Sequence, residues 1–69
     1  MNWTEIEGKW TQAKGKVRER WGKLTDDDLD VIAGKRDQLI GVLQQKYGVA
    51  KEDLERQVSE FADRYPAVK

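Results

Sequence analysis

Apolar residues recur along the first third of the chain at helical spacing. Trp3, Ile6, Trp10, Ala13, Val17 and Trp21 follow one another at intervals of three, four, three, four and four. That places them on one face of an amphipathic helix, with charged and polar residues on the other. Asn2 stands before the run and Glu5 three residues after it, a helix-start signal in which the Asn side chain takes up a first-turn N–H. Leu29, Ile32, Leu39, Leu43 and Tyr47 continue the theme, and Val31, Ile40 and Val42 widen the stripe. Leu54, Val58, Phe61 and Tyr65 repeat it at four, three and four. Pro66 stops this last segment and pushes Tyr65 out of the helical region, so residues 67–69 are expected to fray. No strand pattern interrupts the helical one.

The joints between these segments have the same plan. In Trp21-Gly22-Lys23-Leu24-Thr25-Asp26-Asp27-Asp28, Gly22 is expected to close one helix in a left-handed conformation. Thr25 is expected to cap the next, with Asp28 at the reciprocal position of a capping box. The three aspartates then sit beside unsatisfied N–H groups, each contact favourable by roughly 0.3–1 kcal/mol. Tyr47-Gly48-Val49-Ala50-Lys51-Glu52-Asp53-Leu54 repeats the joint one residue shorter. Shifted by 26 positions, Trp3 falls on Leu29, Ile6 on Ile32, Gly8-Lys9 on Gly34-Lys35, Gly15 on Gly41 and Trp21-Gly22 on Tyr47-Gly48. Such a match reads as a duplicated unit.

Gly8, Gly15, Gly34 and Gly41 lie away from the apolar stripe, where a mid-helix glycine costs about 1 kcal/mol against alanine. Either Gly8 and Gly34 split each unit into a short and a longer helix, or a neighbouring backbone approaches closely. A break is expected at Gly34, and Gly8 is left open between a break and a kink.

The prediction is a single all-α domain over residues 1–69, a small bundle of three to five helices built from duplicated helical hairpins packed crosswise. Its repeat units span about 3–24 and 29–49, with a final helix over about 50–65. The core is assigned to Trp3, Ile6, Trp10, Val17, Trp21, Leu24, Leu29, Ile32, Leu39, Leu43, Leu54, Val58 and Phe61. On that assignment Trp10→Ala would cost about 3–5 kcal/mol. Glu5–Lys9, Glu19–Lys23, Glu52–Arg56 and Glu60–Arg64 are i,i+4 pairs on the wet faces.

Composition narrows the function more than the fold. The chain is 69 residues long, 38% hydrophobic and 38% charged, with formal net charge zero and neither cysteine nor histidine. A length near the lower limit for one core demands that the apolar positions be well placed. Balanced charge gives no overall bias toward nucleic acid. No apolar run is long enough to span a membrane, so a cytoplasmic protein is expected.

Catalysis is poorly supplied. The usual base and thiol nucleophile are missing, and Ser59, the single serine, has no evident base. No enzyme, cofactor or small-molecule substrate is expected. Asp26, Asp28, Asp30 and Asp37 fit positions one, three, five and twelve of a calcium-loop template. Val31 stands where that template needs glycine, so they read as helix-start carboxylates. Gly34-Lys35-Arg36 lacks the upstream glycine and following hydroxyl of a phosphate loop.

The stronger functional alternative is nucleic acid. Lys9, Lys14, Lys16, Arg18, Arg20 and Lys23 face only Glu19 over residues 9–23, and Lys9, Lys16 and Lys23 lie seven apart beside the tryptophans. Lys9, Lys14, Lys16, Arg20 and Lys23 are the candidate phosphate contacts. Against this, an amphipathic aromatic stripe is most often core, with lysines as its wet edge. A monomer without a membrane role is expected, its partners unidentified.

Leu24-Thr25-Asp26-Asp27-Asp28-Leu29, followed by Ile32, Gly34, Arg36, Leu39-Ile40 and Leu43, resembles the C-terminal half of a SAM domain. That resemblance implies a short helix, a break near Gly34 and a longer helix, and it admits a protein-interaction module as a further alternative. The chain as a whole resembles the CsbD-like family of small bacterial stress-associated proteins. Gly8-Lys9-Trp10, Lys14-Gly15-Lys16-Val17, Trp21 to Asp28, Gly34-Lys35-Arg36-Asp37-Gln38-Leu39, Gly41 and Tyr47-Gly48 carry the likeness. It covers roughly residues 3–65 and departs at the C-terminus, where Phe61 and Tyr65 stand in a region that often has another tryptophan. It implies a cytoplasmic bacterial protein of the general stress response with a compact helical fold, and it brings no catalytic residues.

Overall fold

The computed structural model describes residues 2–65, which form five helices: α1 Trp3–Gly8, α2 Trp10–Arg20, α3 Asp26–Ile32, α4 Arg36–Tyr47 and α5 Lys51–Arg64. The fold is all-α, a small bundle with extents of 26 × 24 × 20 Å. The Asn2 side chain accepts the Glu5 N–H at 2.9 Å and starts α1. Lys9 (φ −115°, ψ 29°) leaves the helical region for one residue. Its N–H still donates to the Glu5 and Ile6 carbonyls, and its own carbonyl accepts from Gln12 and Ala13. The chain therefore turns at Lys9, the shared end of α1 and α2, on which hydrogen bonds from both helices close.

The equivalent place in the second unit is a true break. Ala33 (φ 49°) and Gly34 (φ 83°) are both left-handed, and Lys35 N–H donates to the Ile32 carbonyl at 2.9 Å. Gly34 is needed twice over. A Cβ there would lie 3.1 Å from the Glu7 Cα and 3.3 Å from the Glu7 carbonyl oxygen, so α1 passes directly over the α3–α4 turn. The two explanations for this glycine, a break and a close backbone approach, both hold.

The two joints also diverge. Gly48 (φ 65°) closes α4 in the left-handed conformation, but Gly22 does not do so for α2. The chain leaves α2 at Trp21 (φ −124°, ψ 86°) and turns by a Leu24 N–H to Trp21 carbonyl bond of 3.2 Å. The left-handed closure expected at Gly22 is replaced because the buried Trp21 ring fixes the exit of the chain. Thr25 then opens α3 with both halves of the capping box: Thr25 Oγ1 accepts the Asp28 N–H, and Asp28 Oδ2 accepts the Thr25 N–H.

α5 packs on α4 and on α1, α3 on α4, and α1 on α2. Ile6, Val17, Leu24, Ile32, Leu39, Leu43, Leu54 and Val58 lie wholly inside, with Trp21, Leu29 and Phe61 almost so. Ala13, Ile40, Ala62 and Tyr65 complete the core. Phe61 is its aromatic centre, with ring centroids 5.5 Å from Trp21, 6.0 Å from Tyr65 and 6.4 Å from Trp3.

Trp3 and Trp10 depart from the core assignment. Both are half-buried and pack on its edge, because α1 and α2 form an outer layer whose inward face is already filled by Ile6, Ala13 and Val17. Val31, expected to widen the stripe, is 64% exposed. Tyr65 is extended (ψ 138°), as a residue before proline should be; residues 66–69 lie outside the described part.

Gly15 and Gly41 sit on exposed mid-helix faces, and a Cβ at either would meet nothing within 4 Å. Neither glycine serves the fold. Gly15→Ala should therefore raise stability by about 1 kcal/mol, read as an increase in melting temperature of roughly 4–8 °C.

Candidate functional site

The polar chemistry gathers in two places. The first is the start of α3. Asp28 is held by the Thr25 backbone N–H and by the Lys46 ammonium from the end of α4. Arg18, near the end of α2, reaches Asp26 Oδ1 at 2.8 Å. Two elements thus supply cations to a helix N-terminus rich in aspartate, where the dipole favours the carboxylates as well. The Lys46 contact, followed by the Thr25 N–H, holds the Asp28 carboxyl below its ordinary value of 3.8. A folded pKa below the unfolded one means the stabilisation is complete above pH 3.8 and is lost as pH falls through the lower, folded value. Acid titration of stability should show this loss, and Asp28→Asn should flatten it.

The aspartates of the calcium template do not converge. Asp26 and Asp28 are turned to Arg18 and Lys46, and no group of three or more carboxylate, His or Cys side chains gathers among the described residues. Ser59 accepts a hydrogen bond from the Arg36 guanidinium at 3.3 Å, which does nothing to activate its hydroxyl. A shallow open notch of about 200 Å³, lined by Asp37, Ile40, Gly41, Gln44 and Lys51, lies between α4 and the start of α5.

The second place is the outer layer formed by α2 and its flanks. Each indole N–H is used inside the fold. Trp3 Nε1 donates to the Gly34 carbonyl at 2.7 Å, Trp10 Nε1 to the Leu29 carbonyl at 3.2 Å and Trp21 Nε1 to Gln57 Oε1 at 3.2 Å. The tryptophans of the first unit thereby staple it to α3, to the α3–α4 turn and to α5.

Of the candidate phosphate contacts, Lys9 is exposed between α1 and α2, and Lys14 and Arg20 are exposed on α2. Lys16 is half-buried and pairs with Glu19 at 3.5 Å. The Arg20 guanidinium lies 5.2 Å from the Trp21 ring centroid. Lys23 sits in the turn, its ammonium 5.0 Å from the Tyr47 ring and its N–H donating to the Tyr47 hydroxyl. The aromatic residues that match between the two joints, Trp21 and Tyr47, thus each carry a cation from the first unit. The i,i+4 pairs of the sequence give way to i,i+3 contacts, Lys16–Glu19 and Arg56–Asp53.

The CsbD-like family model matches residues 4–56. The chain belongs to the CsbD-like family. It is 54% identical over 68 residues to a UPF0337 protein of Nitrosomonas europaea, covering 99% of this chain and 65% of that one. It is 54% identical to a UPF0337 protein of Pectobacterium atrosepticum (93% of this chain, 83% of that one) and 53% identical to UPF0337 protein YjbJ of Escherichia coli (91% and 81%). The CsbD-like chain thus spans just under two thirds of the Nitrosomonas relative and most of the other two. No solved structure matches it.

Sequence periodicity did not single out Gln57, the acceptor for Trp21, although it lies four residues before Phe61 on the margin of the same stripe. Nor did it single out Asp26–Arg18 and Asp28–Lys46, which join residues eight and eighteen apart and depend on how the helices pack.

Proposed function

We propose that this CsbD-like chain is a non-catalytic, cytoplasmic protein of the bacterial stress response that acts through its surface. The disposition of its polar groups carries this reading. The indole N–H donors, the Asp28 carboxylate and the Ser59 hydroxyl are all engaged in holding helices together. What faces water is a dense coat of lysine, arginine, aspartate and glutamate, which favours solubility under poor conditions. Membership of the CsbD-like family supports the stress setting. No helix among the described residues is long and apolar enough to cross a membrane. Val31 is the one large hydrophobic residue exposed there, which supports a monomer. Deleting the gene should reduce survival under osmotic, oxidative or desiccation stress, and complementation should restore it. Unchanged survival in all three would remove the stress role.

A further inference from the structure

The zero net charge of the chain conceals a segregated surface. Residues 9–23 carry six basic groups against Glu19, and α3 opens with Asp26, Asp27, Asp28 and Asp30. Helical spacing arranges the basic groups as two shoulders. Ala13 and Val17 face the core, so Thr11, Gly15 and Glu19, one turn apart, form an exposed outward crest. Lys14 and Arg18 flank the crest on one side and Lys16 on the other, with Arg20 further round behind Lys16, its guanidinium against the Trp21 ring. Lys9 before α2 and Lys23 in the turn extend the charge beyond both ends of α2. At the centre of the crest stands Gly15, with open space where its Cβ would be and no role in the packing.

We propose that the outward face of α2 docks the phosphate backbone of duplex nucleic acid. A helical cylinder about 10–12 Å across fits a major groove about 12 Å wide, and cations on both shoulders then face the two bounding phosphate rows. The missing side chain at Gly15 lets the crest sit deep. The crest has no apolar wedge, which disfavours a lipid surface. The indoles are tied to Gly34, Leu29 and Gln57, which disfavours stacking on a single strand. Arg18 is neutralised by Asp26 and Lys16 by Glu19. Lys9, Lys14, Arg20 and Lys23 have no carboxylate partner among the described residues; Arg20 and Lys23 rest on the Trp21 and Tyr47 rings, which leave their charge uncompensated, so four cations remain for phosphates.

Four contacts set the salt dependence. The logarithm of the binding constant should fall against the logarithm of salt with a slope of about −3.6, roughly a hundredfold between about 50 and about 200 mM. Fluorescence anisotropy of the full chain with a labelled duplex of about 20 base pairs and arbitrary sequence measures this slope. The double variant Lys14→Gln/Arg20→Gln should bring it to about −1.8. Lys35→Gln/Lys51→Gln, which removes two cations off this face, should leave it unchanged. Matching far-UV circular dichroism spectra establish that the variants are folded. Absence of binding at about 20 mM salt, or an equal loss of slope in both double variants, overturns the proposal. So does competition by poly-glutamate as effective as that of unlabelled duplex at matched charge, which assigns the face to an acidic protein instead.

Discussion

Trp21→Ala is expected to cost about 3–5 kcal/mol, measured by urea or thermal unfolding. The ring is 2% exposed, stacks obliquely on Phe61 and donates to Gln57. Alanine leaves a cavity beside Phe61, an unpartnered Gln57 and an Arg20 without its ring. At 0.05–0.15 kcal/mol per residue a domain of this size has roughly 3–10 kcal/mol in all, so the variant should be substantially unfolded at room temperature. Trp10→Ala should cost less, about 1–3 kcal/mol, because part of that ring already faces water and only one hydrogen bond to the Leu29 carbonyl is lost. The 3–5 kcal/mol that periodicity alone suggests for Trp10 assumes full burial. The order Trp21 well above Trp10 is the part to check, and equal losses would contradict the layered packing.

Gly34→Ala is the second large effect. Two costs coincide at this position. A left-handed backbone costs an L-residue roughly 1–2 kcal/mol. The new methyl would also lie 3.1 Å from the Glu7 Cα and 3.3 Å from its carbonyl oxygen, which belong to the α1 backbone and cannot swing aside. Overpacking of this kind costs about 1–3 kcal/mol, so a total near 2–5 kcal/mol is expected. Gly48→Ala is the matched control. Its φ of 65° imposes the same backbone strain, but nothing lies within 4 Å of its Cβ. It should lose about 1–2 kcal/mol, and the difference between the two variants measures the pressure of α1 on the turn. Equal losses would mean that α1 does not approach Gly34.

Much of this architecture is legible in the residues themselves. The stripe Leu54, Val58, Phe61 delineates α5, and Thr25 with Asp28 marks the start of α3, because capping and periodicity are local. The 26-residue shift lays α2 on α4 but sets α1 three residues past the start of α3. What escapes is whatever depends on how the units meet. Trp3, Trp10 and Trp21 look alike in sequence and differ in burial, because Trp21 lies inside the core whereas Trp3, although it meets Phe61 too, and Trp10 pack on its edge. Gly22 and Gly48 are repeat partners with different conformations, one following a buried ring and the other a partly buried tyrosine. On the functional side, the basic stretch is plain in the sequence. That the indole N–H groups beside it are spent inside the fold is not, since that rests on hydrogen bonds spanning 31, 19 and 36 residues.

Central to the account is that the three indoles fasten the first helical unit to the second and to α5. Hydrogen exchange of their Nε1–H groups, followed by NMR, tests this most directly. Three separate indole signals, each exchanging far more slowly than free tryptophan and losing protection together as denaturant is added, are the expected result. Indole protons that exchange at the rate of free tryptophan in the native protein would contradict it and return the rings to the surface.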